Sequence, residues 1–496
     1  MNDKRITISV GLDFGTYQTK ACIRFKRTPN SPPEYHFVPL DTDAQGLDSL
    51  FLPSVISEAE KNRFEFGVPG RKASRSYSFF KIASADDEEF RMDLGLTKAK
   101  YDPERFDPHT PEFLAVVYVA YVITRIKTFV KDELFKQKID SQKKGSFLDR
   151  FRKQESAEVD FDWVIQMGVP TEYRERQNAL RKRKFQQILL MANELSKLVD
   201  GRFVINSTIE ELKEAVQMIF NDILDQLGHN EIKAVDTDKW NELLSKNQVS
   251  VFPETAAGLV FLVRTGKLTK DKYYLAVDIG GGSTDVSFFK VEANETFTYY
   301  ASKSVMVAAN DLGIKLVGEV KNTMELRDKI NQLFSNSNIS SSQEYREAFC
   351  EVFAQINKHV YHMFNKQVYN RFEKHNATVV FSDTYCYLYG GGSLVPKIPN
   401  NAEAYLEKIL IHDNGVYDSF NTTLTKVTVT PTSELQFLEN ITPENWVDRM
   451  QFLIVPLGLS LSMSDEIMTQ LNEDFYTKED LIKDPGLFDV GKSRWV

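Results

Sequence analysis

Three aspartates set in glycine turns are the residues of this 496-residue chain whose types and spacing could do chemistry. In V-D-I-G-G-G-S-T-D-V, residues 277–286, Gly280, Gly281 and Gly282 stand between Asp278 and Asp285, and Ser283 follows the triplet. Glycine reaches backbone angles closed to other residues, so successive N–H groups can turn inward on an anion that meets no Cβ. Such a turn can cradle phosphate. Carboxylates do not favourably touch phosphate themselves, so the flanking pair implies a metal between them, hydrated Mg²⁺ being the natural choice. A glycine triplet also serves as a plain hairpin turn, and nothing in this stretch alone separates the two readings. A weaker echo comes early in the chain: G-L-D-F-G-T-Y-Q-T-K, residues 11–20, again places an aspartate, Asp13, ahead of a small turn carrying Gly15, Thr16 and Tyr17. Two such hairpins facing each other across a cleft would hold one polyphosphate from both sides. Two unrelated hairpins are the alternative, and they explain less well why Asp stands at the same point of both turns.

The elements that must position these residues are legible on either side. Apolar runs at 274–277 and 286–289 bracket the later turn, and β-rich runs at 6–12 and 19–25 bracket the earlier one, so both read as strand, turn, strand. Residues 111–127 form an apolar helix opened by Thr110 as N-cap with Pro111 at the first position. Ser207-Thr-Ile-Glu210 reads as a capping box, after which Ile209, Leu212, Val216, Ile219, Ile223 and Leu227 recur at helical spacing until Gly228. That stripe either packs on the lobe that carries it or docks a partner. A helix over 342–374 carries Tyr345, Phe349, Phe353, Ile356, Val360, Phe364, Val368 and Phe372, a pattern of core packing. His359 and His362 on it lack the further ligands of a metal site. Residues 137–158 are polar and read as an exposed loop or insertion.

Composition sets the outer bounds. The length calls for two to four domains or lobes, and 42% hydrophobic with 26% charged residues is ordinary for a soluble globular chain. A formal net charge of −9 argues against non-specific nucleic-acid binding. The densest basic run, 174–184, reads as a solvated helix face. Cys22, Cys350 and Cys386 are widely spaced with no CxxC, so neither a disulfide framework nor a zinc site is expected, and a reducing, cytoplasmic setting is. The N-terminus lacks a signal-peptide core, and the longest apolar run, 113–123, is too short to span a bilayer. No Walker A sequence, GxSxG elbow or HExxH occurs, which removes the commonest rival enzymes.

The paired hairpins resemble the two phosphate loops of the actin, sugar-kinase and heat-shock ATPase superfamily. Further stretches, in family order, narrow the resemblance to the DnaK-type heat-shock chaperone ATPase domain. F-P-E-T-A-A at 252–257 is similar to that family's connecting segment, and Y-G-G-G-S-L-V-P-K-I at 389–398 to its adenosine loop. Residues 164–171, containing Gly168-Val-Pro, resemble its strand-to-helix step, and S-F-F-K-I at 78–82 the segment that delivers its catalytic lysine. Residues 52–56 with Phe66-Gly67 resemble the start of its first small subdomain, and 309–313 the entrance to its second. F-L-I-V-P-L-G-L at 452–459 looks like its last connecting helix.

The resemblance implies an α/β, two-lobed actin-like ATPase fold: duplicated ribonuclease-H-like domains, each a mixed sheet flanked by helices, with smaller outer subdomains. Lobe I would span 1–265, with an outer subdomain at about 41–105 and a helical insertion at 201–248. Lobe II would span 266–445, with an outer subdomain at 311–375, and 446–496 would return to lobe I. It also implies Mg²⁺-dependent binding and slow hydrolysis of ATP to ADP in the interlobe cleft. Lys81, Glu254, Asp278 and Asp13 would be catalytic, and Asp13, Asp278 and Asp285 would hold the metal through water. Gly15, Thr16, Tyr17, Gly280, Gly281, Gly282 and Ser283 would hold phosphate; Gly390, Gly391, Gly392, Ser393 and Leu394 would flank the nucleoside. Leu394 stands where the family carries a base-stacking arginine, and its adenine clasp has no counterpart here, so base selection is expected to be looser. Only residues 459–496 follow Gly458, too few for the family's peptide-binding domain. The implied job is coupling of lobe closure to a protein partner, without nucleic acid or membrane and with self-assembly left open. The alternatives are an actin-like filament-forming ATPase and a non-hydrolysing nucleotide sensor that docks a partner through the 207–227 helix.

Overall fold

The computed structural model describes residues 5–67, 75–85, 110–135, 160–170, 179–229, 235–264, 268–293, 297–305, 307–318, 323–336, 338–363, 384–394, 421–426, 435–436, 450–461 and 468–469. Strand β1 (Arg5–Phe14) buries residues on both faces, and its period of two divides them. Ile6, Ile8, Val10, Leu12 and Phe14 enter one core. Gly11, on the opposite parity, meets the backbone of the helix Met450–Ser460, where an added Cβ would strike the Pro456 carbonyl. Asp13 shares that second face.

Strands β2 (Gln18–Phe25) and β3 (Glu34–Phe37) continue from β1 as an antiparallel meander. Small pieces follow: β4 (Leu52–Pro53), β5 (Val55–Ala59), β6 (Arg63–Phe66) and β7 (Ser76–Ser78), the last three forming a three-stranded sheet. Helix α1 (Phe80–Ala85) leads from there towards α2 (Pro111–Thr128). Strands β8 (Asp160–Val169) and β9 (Val249–Pro253) then add in parallel on the free side of β1. The second sheet is wired alike. Strands β10 (Lys272–Ile279), β11 (Thr284–Val291) and β12 (Phe297–Val305) form an antiparallel meander, and β13 (Thr384–Tyr389) and β14 (Asn421–Lys426) add in parallel beside β10. Both sheets therefore read third, second, first, fourth, fifth in strand order, the duplicated mixed-sheet architecture expected from the sequence. Two-residue strands β15 (Leu435–Gln436) and β16 (Met468–Thr469) extend the two sheets at β3 and β12.

Helices α3 (Ala179–Leu195), α4 (Ile209–Leu227) and α5 (Thr237–Lys246) flank the first sheet. Helix α6 (Glu254–Arg264) leaves β9, and α7 (Ala309–Val317), α8 (Thr323–Ser335) and α9 (Gln343–Met363) belong to the second half. The last described helix is α10 (Met450–Ser460). On β10, Leu275, Val277 and Ile279 face a core shared with α9, whereas Tyr274 and Ala276 face one shared with α6 and α10. That second core also takes Cys22 and Phe37 from the first sheet, so α6 and α10 join the halves through one apolar interior.

Several local expectations hold and several shift. Thr110 Oγ1 accepts from the Phe113 N–H at 3.3 Å, with Pro111 opening α2. The capping box lies one residue later than the sequence suggested. Ser207 N–H is spent on the Phe203 carbonyl of the preceding turn, so Thr208 caps, accepting from Glu211 N–H and donating its own N–H to the Glu211 carboxylate. All six residues of the α4 stripe are buried, which removes that stripe as a docking face. Of the 342–374 helix, Gln343–Met363 is seen with Tyr345, Phe349, Phe353, Ile356 and Val360 buried; 364–374 and the 137–158 segment lie outside the described residues. The basic run is less solvated than expected where it is described. Arg183 donates to the Val235 carbonyl at 2.9 Å, and Lys184 lies 3.2 Å from Glu112. Finally, α2 with its π-helical continuation covers 25 residues, long and apolar enough to cross a bilayer by composition. The 113–123 run understated it because the helix continues past Thr124 and Arg125; 78% of its most apolar stretch is buried in the first half.

Candidate functional site

Strand parity delivers the carboxylates. Asp13 ends β1 on the face turned to α10, and Asp278 ends β10 on the face turned to α6 and α10. Each sits where its strand enters a glycine turn. In the first turn the Gly15 N–H returns to the Asp13 carbonyl at 3.1 Å, Ser54 Oγ donates to the Gly15 carbonyl at 2.7 Å, and the Ser54 N–H donates to the Tyr17 carbonyl at 3.0 Å. In the second, Gly280 N–H donates to the Ser283 carbonyl at 2.9 Å, and Asn310 N–H donates to the Gly281 carbonyl at 2.8 Å from the start of α7. The turns approach until an added Cβ on Gly281 would lie 3.3 Å from Tyr17 Cβ. One on Gly282 would overlap Ile82 and reach Thr16 Cγ2 at 3.1 Å, so glycine there permits the close approach of the halves. Gly390, after β13, has φ of +87°, and a Cβ there would overlap the Asp278 carboxylate.

Between the turns lies a cleft of about 340 Å³. Its walls carry Asp13, Gly15, Thr16, Tyr17, Lys81, Glu254, Asp278, Gly280, Gly281, Ser283, Gly390, Gly391 and Gly392. Asp285 is opposite Asp278 across the β10–β11 pair, but it is buried behind the wall and accepts from Ser304 Oγ. Gly282 is likewise turned to Thr16 and Ile82 rather than to the cleft. The backbone turn Gly391–Leu394 is described, whereas the side chains of Ser393 and Leu394 lie outside the described residues, so the expectation of weakened base stacking at Leu394 is left where the sequence put it.

The charges pair across the fold. Lys81 Nζ, from α1, donates to Glu254 Oε1 at 2.8 Å, joining residues 173 positions apart. Lys20 Nζ lies 2.6 Å from Asp13 Oδ2, directly opposite it in the β1–β2 register. Burial alone would lower the Lys81 pKa, but Glu254, Asp13 and Asp285 outweigh it and the ammonium is held charged more firmly than usual. Burial raises Glu254, with Asp13 adding to the effect and Lys81 opposing it. Asp278 is raised well above the ordinary carboxylate range by burial first, then by Glu254, Asp285 and Asp13, with Lys20 a weaker counterweight. Among the described residues, Asp13, Glu254, Asp278 and Asp285 against Lys20 and Lys81 leave a formal excess of two negative charges once Asp278 gives up its proton.

Two residues were missed as site candidates. Lys20 closes the first motif, and its position across the hairpin from Asp13 is readable from the turn. Asn310 was read only as part of a subdomain entrance; its Nδ2 is buried at the cleft wall with no hydrogen-bond partner. No sequence signal marks an orphaned donor. The residues present fit a magnesium–nucleotide complex: a two-charge excess suits a divalent cation, Asn310 Nδ2 awaits an acceptor, and the glycines keep Cβ atoms out of the phosphate path. Among the described residues no three His, Cys, Asp or Glu side chains converge to hold a metal directly, so Asp13 and Asp278 would reach the ion through water. When bound, the ion would neutralise charge on the phosphate oxygens.

No protein-family model matches the chain, and no curated protein does. Among solved structures the chain is similar to one described as "pCBH ParM non-polymerisable quadruple mutant", with a TM-score of 0.42, 11% identity and coverage of 92% of this chain and 98% of that one. None of these comparisons supports the narrower DnaK-type resemblance, and what stands is the two-lobed actin-like fold carried by the strand order.

Proposed function

We propose that this protein binds ATP with Mg²⁺ in the cleft between its two sheets and hydrolyses the terminal phosphoanhydride. The observation that carries the reading is the Lys81–Glu254 pair standing beside Asp13 and Asp278 at the mouth of two glycine turns from opposite halves. Asp13 and Asp278 would orient the hydrated metal, and Asp285, buried behind Asp278, adds negative charge to that side of the cleft. Gly15, Thr16, Gly281 and Ser283 receive phosphate oxygens, joined by Asn310 Nδ2. Glu254 orients the attacking water, and Lys81 meets the charge that builds on the γ-phosphate oxygens. We place the lobe boundary near residue 265, with α10 returning to the first half while β16 pairs with β12 of the second.

The finer readings rest on the sequence resemblance. These are coupling of closure to a protein partner and assembly into filaments; the cytoplasmic setting rests on the spacing of the cysteines. Two measurements in one Mg²⁺–ATP sample test the set. Single-turnover phosphate release should fall by at least about a hundredfold in Asp13→Ala and Asp278→Ala, the scale of removing one preorganised electrostatic contact. Equal release from both variants and the unsubstituted chain would sink the hydrolytic assignment, and binding without release would leave a nucleotide sensor. Sedimentation of the same sample separates the assembly readings, since a pellet that depends on ATP supports filaments and a strictly monomeric species excludes them.

A further inference from the structure

At the other end of the first sheet lies a second cavity, of about 380 Å³, that shares no residue with the cleft. It opens where β8 begins, between α2, the end of α3 and the end of α5, and Trp163 in it precedes Gly168, which lies against Glu254, by about 17 Å of strand. Four lysines line it, Lys127, Lys131, Lys197 and Lys246, against the single lining carboxylate of Asp162. Lys197 is engaged with Glu194 at 2.6 Å. Lys127 is different. Its Nζ donates to Ser196 Oγ at 2.8 Å and to Asn193 Oδ1 at 3.4 Å and lies 6.0 Å from the Trp163 ring centroid, all neutral partners. Burial, and Lys197 after it, pull the Lys127 pKa down to about 8, Glu194 opposing, which marks a cation short of negative charge.

A second observation points into the same space. Thr124 lines the cavity, is 3% exposed, and its Oγ1 has no hydrogen-bond partner. Buried hydroxyls are rarely left unpaired, so an unseen acceptor is the economical explanation. Lys197 and Lys246 also suit the carbonyl dipoles at the ends of α3 and α5, a structural role for those two. Neither dipole accounts for Lys127 or for the Thr124 hydroxyl.

We propose that this cavity is a binding site for a small phosphorylated anion, with Lys127 and Thr124 Oγ1 as its central contacts and Lys131 and Lys246 at the rim. The lining contains lysines and no arginine, hence point charges rather than the planar fork that grips carboxylates. Phosphate is the chemistry that fits.

The probe is pyrophosphate, titrated into the full chain with the interlobe cleft already saturated with Mg²⁺–ADP, and the readout is Trp163 fluorescence, checked for origin with Trp163→Phe. A saturable change is expected, weakened at least about tenfold in Lys127→Gln, the scale of a charge-assisted hydrogen bond lost. It should weaken by about three- to tenfold in Thr124→Val, with ADP affinity and the unfolding midpoint unchanged. Binding should tighten as pH falls through about 8, where Lys127 gains its proton; Lys131, Lys197, Lys246, Asp162 and Glu194 are the charged groups around it. The absence of a saturable signal, equal affinity in Lys127→Gln and Thr124→Val, or citrate binding as tightly as pyrophosphate would each overturn the assignment. The cleft is filled throughout, so failure here leaves the nucleotide reading untouched.

Discussion

Replacing Asp278 by Asn separates a working carboxylate from a structural one. Asp278 is half-buried at the cleft wall, with Asp285 opposite and Glu254 and Asp13 near enough to repel it. Its pKa lies well above the ordinary 3.8, so between that value and its raised native value the folded chain holds a proton that the unfolded chain has lost. The sign follows: the native state binds more protons, and stability falls as pH rises through that window. One proton sets a ceiling of about 1.4 kcal/mol per pH unit. Asn cannot ionise and removes this slope, so the nucleotide-free variant should match the unsubstituted chain near pH 4 and gain on it as pH rises towards 7. Ligand should act oppositely. Mg²⁺–ADP at a hundred times its Kd stabilises the unsubstituted chain by about 2.7 kcal/mol, and the variant should lose most of this. Urea midpoints from pH 4 to 8, with and without Mg²⁺–ADP, measure both. A variant that is weaker at every pH without ligand, or one that keeps the full ligand shift, refutes the argument.

Three further substitutions probe the surrounding construction. Lys81→Met strands Glu254 as an uncompensated buried carboxylate and should cost about 3–5 kcal/mol, much of it restored by Lys81→Met/Glu254→Gln; equal urea midpoints for the single and double variants would contradict this. Arg327→Ala removes a guanidinium that lies 3.9 Å over the Tyr17 ring and donates to the Tyr17 carbonyl at 2.7 Å, tying α8 to the first turn. A loss of about 2 kcal/mol would speed ADP dissociation by roughly thirtyfold in stopped-flow, and an unchanged rate would show that this contact does not hold the cleft shut. In Gly458→Ala the new methyl meets the Ala257 carbonyl, forcing α10 off α6, and should lower stability by about 1–3 kcal/mol without altering the pH dependence assigned to Asp278.

What the sequence disclosed follows from range. Turns, caps and parity are local, so the two hairpins, the Thr110 cap with Pro111, and the α4 stripe could be read from neighbours a few positions apart. Lys81 and Glu254 came from short resemblances, and the structure places them within hydrogen-bonding distance although 173 positions separate them. Packing was less legible. Asp285 has the same residue type as Asp278 and the same motif, yet it lies behind the wall because β11 carries it beside Ser304 of β12. Gly282 looks like a third phosphate-loop glycine, but it serves the approach of Ile82. The orphaned donors of Asn310 and Thr124 arise from what is missing around them, and no pattern of letters records that.

The duplicated wiring explains why so few residues suffice for the cleft. In each half the first strand of the meander ends in an aspartate whose parity turns it away from that half's own core and towards α6 and α10. Because those two helices belong to a core shared by both sheets, Asp13 and Asp278 are brought to one gap without any contact designed between the strands themselves. The same placement makes the gap costly: like charges gather where the halves meet, and among the described residues Lys20 and Lys81 offset them. Opposing that repulsion, Tyr17, Arg327 and Asn331 bind the rim from both sides, with the Tyr17 hydroxyl donating to Asn331 Oδ1. Repulsion at the centre and a clasp at the rim act on one gap with opposite sign, so under the proposed reading a divalent cation that cancelled the central term would shift the balance towards closure.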